Sequence, residues 1–179
     1  LNQEYPHIII LNDDEELPGS IHRSQVPGFR FSKWGGWVDQ QTLKLLASTI
    51  IETDYYMIFD SKNYLYDKFS PSEFEDVAIH EITGNREGPF NHFFKCSYEV
   101  FGLNCKDYEN EIMRSITPFV METQVVKDML DYLETNNIDL VELLDQGKDF
   151  QCVEFYLYSA WCAKNNIKLK WQDSFNGVK

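Results

Sequence analysis

Basic residues are scarce in this chain: 16 Lys and Arg stand against 29 Asp and Glu, a formal net charge of −13 over 179 residues. A surface of that sign repels phosphate backbones, which argues against a nonspecific nucleic-acid binder, and no nucleic-acid partner is expected. A local basic pocket for one nucleotide stays compatible with it. No apolar run approaches the length of a membrane span, and no signal peptide is visible. Cysteine is sparse: Cys96, Cys105, Cys152 and Cys162 form no C-x-x-C pair, and no Cys/His cluster has zinc spacing. Cys152 and Cys162 fall in one apolar helical pattern and read as buried thiols, so a reducing, cytoplasmic compartment is the expectation. The four histidines lie scattered with no partner spacing and are given no role. Repeats and low-complexity tracts are absent. The chain opens on Leu1 rather than Met, as a processed protein or a piece of a longer one would.

What is present is a globular composition, 43% hydrophobic and 15% aromatic. It suits one domain over residues 1–179 with a sizeable core. His7 to Leu11 is a strand candidate, closed by the acidic run Asn12 to Glu16, in which Asp13 or Asp14 could face a site. Loop follows from 19 to 35, with a short strand candidate at Phe29 to Phe31. Gly36 to Ile51 reads as a helix with Leu43, Leu46, Ala47 and Ile50 as its apolar face. Trp37, Gln41, Lys44 and Ser48 lie on another side. Tyr55 to Phe59 is too short for a helix and rich in strand formers, so it reads as a buried, interior strand. His92 to Val100 has helical periodicity, ended by Gly102. Ser115 to Val120 is a short extended segment, which Pro118 restricts to an edge or irregular position. Helices are expected at Glu122 to Thr135, Leu140 to Leu144 and, after a break at Gly147-Lys148-Asp149, Gln151 to Lys164. Ile167 to Trp171 alternates as a half-buried strand. Strands alternating with helices predict an α/β layer fold.

Asp60-Ser61-Lys62-Asn63 directly follows the Tyr55 to Phe59 strand. In open α/β sheets, ligands bind outside the carboxyl ends of the strands. There Asp60 could bind a metal, Lys62 could meet a phosphate and Asn63 could bond a sugar or hold the turn. The plain alternative is a strand followed by a polar turn.

Four stretches appear in order: Gly36 to Leu45, Asp60 to Asn63, Thr117 to Val120 and Glu154 to Tyr158. Together, over roughly residues 30 to 165, they resemble a poorly characterised, mainly bacterial family of glycosyltransferase-like proteins. Members of that family resemble the GT-A fold of nucleotide-diphospho-sugar transferases. The resemblance implies a layered αβα domain with a central mixed sheet. The spacing from His7–Leu11 to Asp60 is short for a complete nucleotide half, so the opening nucleotide-binding strand is expected to be missing from this chain. It also implies that Asp60 to Asn63 stands where GT-A enzymes carry Asp-x-Asp, whose acids bind Mn²⁺ or Mg²⁺ and so hold the donor diphosphate. Here Lys62 replaces the second acid, and an ammonium has donors only. Either Asp60 works with acids from elsewhere, or Lys62 takes over part of the metal's role, or only the fold remains.

With that resemblance, Gln40, Gln41 and Lys44 become substrate-binding candidates, Lys44 for a phosphate; the plain alternative is a solvated helix face. Glu154 becomes the candidate catalytic base. A carboxylate among Phe155, Tyr156 and Tyr158 would have its pKa raised by partial burial, which suits a base; a helix N-terminal Glu favoured by the macrodipole is the alternative. Asp149 is a weaker substitute. The leading expectation is a glycosyltransferase of hexosyltransferase type, with a nucleotide-sugar donor and a glycan or small-molecule acceptor. In it Asp60, a metal or Lys62 stabilises the leaving diphosphate. The competitors are a non-catalytic nucleotide- or sugar-binding protein on a decayed transferase fold, and a metal-dependent nuclease using Asp60-x-Lys62 with Asp39 or Asp54.

Overall fold

The computed structural model describes residues 35–61, 89–108, 117–144 and 152–167. The expectations for His7 to Leu11, the acidic run, Phe29 to Phe31, Lys62, Asn63 and Gly147 to Asp149 lie outside these residues, as does most of Ile167 to Trp171. The described chain is mixed α/β and mostly helical: α1 (Gly35–Leu46), β1 (Tyr55–Ile58), α2 (Pro89–Val100), β2 (Phe119–Glu122), α3 (Thr123–Thr135), α4 (Leu140–Leu144) and α5 (Glu154–Lys164). Short 3-10 turns follow α1 at Ala47–Thr49 and α2 at Cys105–Tyr108. Strands β1 and β2 form a two-stranded antiparallel sheet, with Tyr55 opposite Glu122 and Ile58 opposite Phe119. No described helix is long and apolar enough to cross a membrane.

The core is built around α5. Every residue from Cys152 to Cys162 is buried, and a helix apolar on all sides belongs inside. It packs against α1, α2 and α3. Two of its hydroxyls are matched inside that core. The Tyr98 and Ser159 hydroxyls lie 2.9 Å apart, and the Tyr158 hydroxyl accepts the Glu122 backbone N–H at 3.1 Å. Phe155 stacks on Phe119 with ring centroids 4.1 Å apart, which joins the start of α5 to the sheet.

Three helices end in one way. After α2, the Leu103 N–H bonds the Tyr98 carbonyl and the Gly102 N–H that of Glu99, with Gly102 at φ +74°. Asn137 at φ +56° after α3 and Asn166 at φ +54° after α5 take the same left-handed position with the same pair of bonds. Glycine and asparagine are the residues that tolerate it. At the start of α4, the Asp139 carboxylate accepts from the N–H groups of Val141 and Glu142.

Two local readings differ from the structure. In α1 the buried side is Val38, Gln41, Thr42, Leu45 and, just beyond the helix, Ser48, while Leu43, Leu46, Ala47 and Ile50 are only half-buried. The cause is local satisfaction: the Thr42 and Ser48 hydroxyls donate to the carbonyls of Val38 and Leu45, so burying them leaves no orphaned group. In β1 only Ile58 is buried, and Phe59, past the strand's end, is 40% exposed.

Candidate functional site

Three elements bring their charged residues to one point. Lys44 is in the last turn of α1, Asp60 follows β1, and Glu154 opens α5. The Lys44 ammonium stands 3.1 Å from Glu154 Oε1 and 3.2 Å from Asp60 Oδ1. The side chains of Lys44, Asp60 and Glu154 are 11%, 21% and 5% exposed, so bulk water screens little of this attraction. The Phe155 ring lies 5.1 Å from the ammonium, face towards it, and adds a cation–π contact.

The scaffold fixes the backbone on both sides of the bridge. The Tyr56 hydroxyl donates to the Lys44 carbonyl at 3.0 Å and reaches Met121 Sδ at 3.2 Å. Gln41 Oε1 accepts the Glu154 N–H at 3.1 Å. That N–H is one of the first four of α5, which have no partner within their own helix, and Val153 offers no side-chain cap. Gln41 therefore caps α5 from α1. The entry to β1 is fixed likewise: the Thr123 N–H donates to the Asp54 carbonyl and its hydroxyl to that of Thr53.

Beside the bridge, between α1 and β1, lies a cleft of about 560 Å³. Asp39, Gln40 and Lys44 supply its polar side, and Leu43, Met57 and Phe59 are among its apolar lining. Neither Asp60 nor Glu154 lines it. Of the candidate residues, Gln40 is exposed in the cleft, Lys44 lines it while bound to both acids, and Gln41 is fully buried. Lys62 and Asn63 lie outside the described residues. Asp54 is at the opposite end of β1 from Asp60 and is exposed, so it cannot complete an acid cluster with it. Sequence reasoning missed Tyr56 as the anchor of Lys44 and Phe155 as its ring partner. Both adjoin motif residues, but an aromatic in a strand or helix reads first as core.

Burial pushes the Glu154 carboxyl above its ordinary pKa; the Lys44 ammonium opposes this and the Asp60 charge adds to it. Burial likewise raises the Tyr56 hydroxyl, and pushes the thiols of Cys152 and Cys162 up to about 12. Those two cysteines are inert as nucleophiles at neutral pH.

A divalent cation needs several oxygen ligands. Asp60 instead faces an ammonium, and no three His, Cys, Asp or Glu side chains among the described residues are placed to hold a metal. The described residues do not fit such an ion.

No curated protein and no solved structure matches the chain. A family-level match covers residues 3–174, nearly the whole length, and the protein belongs to the family of unknown function DUF6492.

Proposed function

We propose that the protein is a glycosyltransferase-like enzyme on a GT-A-type layered domain, moving a sugar from a nucleotide-sugar donor to an acceptor hydroxyl. The observation that carries this reading is the meeting of Asp60 and Glu154 on one lysine beside a cleft of about 560 Å³. Small-molecule sites have volumes of that order. In this reading the donor diphosphate lies toward Lys44, and Lys62, two residues after Asp60 in sequence, is a further candidate to meet it. Glu154 is the base for the acceptor, and its raised pKa suits that task. Its carboxylate must first leave the Lys44 ammonium. A diphosphate that draws the ammonium toward the cleft supplies that release.

A second reading, a nucleotide- or sugar-binding protein without turnover, is favoured by the burial of Glu154, which is 4% exposed. The test is a thermal-shift screen of nucleoside diphosphates and sugar nucleotides, followed by turnover assays with the best donor. Under the transferase reading, Glu154→Gln keeps donor binding and loses turnover by roughly 100-fold or more. Binding without turnover in the wild-type protein selects the second reading. Absence of any nucleotide-dependent shift rejects both.

A further inference from the structure

We propose that the Lys44 ammonium is the resident cation of this site, holding between Asp60 and Glu154 the place a divalent metal ion would take. The inference concerns the same residues as the transferase reading but stands whether or not a sugar donor binds.

The first argument is spacing. Both carboxylate oxygens sit just over 3 Å from one nitrogen, at 3.1 and 3.2 Å. Those are distances for charge-assisted hydrogen bonds and ion pairs. A Mg²⁺ ion needs its oxygens at about 2.1 Å, so while the ammonium stands between them each carboxylate is held on the order of 1 Å too far out, and only its removal lets them close in.

The second argument is rigidity. Tyr56 holds the Lys44 carbonyl, and Gln41 holds the Glu154 N–H. These bonds fix the backbone from which both side chains reach the bridge.

The third is charge. A metal entering between the acids must displace a lysine side chain that is 11% exposed, or share two carboxylates with it at close range. The first leaves a buried ammonium without its partners, and the second sets like charges together; both are costly. Phe155, face-on to the ammonium at 5.1 Å, favours an organic cation at this point. An anion entering the cleft would then meet an ammonium and not a metal ion.

The experiment uses Mn²⁺ alone as the probe and reads the thermal midpoint in chelator and in millimolar Mn²⁺. The wild-type midpoint should be the same in both. Lys44→Met keeps most of the side-chain volume and removes the charge, leaving two acids facing each other. It should gain several degrees in Mn²⁺, and the gain should vanish in Lys44→Met/Asp60→Asn. A wild-type shift in Mn²⁺ that Asp60→Asn abolishes would overturn the proposal, and it can be read even if Lys44→Met does not fold. A folded Lys44→Met protein without a Mn²⁺ shift would overturn it too, since the acids would then not be placed for a divalent ion. No outcome with nucleotides bears on this result.

Discussion

Of the two acids on Lys44, Glu154 is the more buried, its side chain 5% exposed against 21% for Asp60. Its position early in an aromatic segment suggests a base in a site, and its burial and its bond to Lys44 show what would have to change for it to act as one. The shift of its pKa also has a consequence for stability. A carboxyl whose pKa is raised by folding binds its proton more tightly in the folded chain. It adds stability below its ordinary value, and that contribution is lost as pH rises through the raised one. Glu154→Gln removes this dependence. The stability of the variant relative to wild type should therefore rise as pH increases above the ordinary carboxylate range. Urea denaturation of both proteins across that range measures it; a constant difference would show that burial does not govern this carboxyl.

At the scale of elements, α5 carries the core, and its interior positions should be the least tolerant. Leu157 is fully buried in the middle of it. Leu157→Ala should cost about 2–5 kcal/mol, read as a lower urea midpoint. A cost below about 1 kcal/mol would mean that neighbouring helices can close the space. The helices were largely legible in the sequence, because their stop signals are local. Gly102 and the Asn136-Asn137 pair mark the ends of α2 and α3 by backbone chemistry that needs no tertiary information. The facing of α1 was not legible. Gln41 earns its burial from a backbone N–H of α5, which is 113 residues away in sequence, and no periodicity anticipates that partner. The pairing of β1 with β2 was likewise hidden, since both are four-residue strands whose paired residues lie more than 60 positions apart in sequence. Asp60, Lys44 and Glu154 could each be singled out as residue types, but not their convergence on a single ammonium.

At the scale of the whole molecule, an excess of 13 acidic charges governs which partners can approach. Duplex DNA should not bind at physiological salt, as fluorescence anisotropy would show. Plasmid cleavage in Mg²⁺ that Asp60→Ala abolishes would instead restore the nuclease alternative. Gln41, Lys44 and Glu154 have a different consequence for the molecule as it is made. The two hydrogen bonds from α1 to the start of α5 span 113 and 110 residues. Contacts so distant in sequence carry a large loop-closure cost and tend to form late. During synthesis Glu154 therefore stays apart from Lys44 until α5 has left the ribosome. A chain that stops short of α5 has the cleft's residues without Glu154 beside them, so a ligand that needs both acids cannot recognise it.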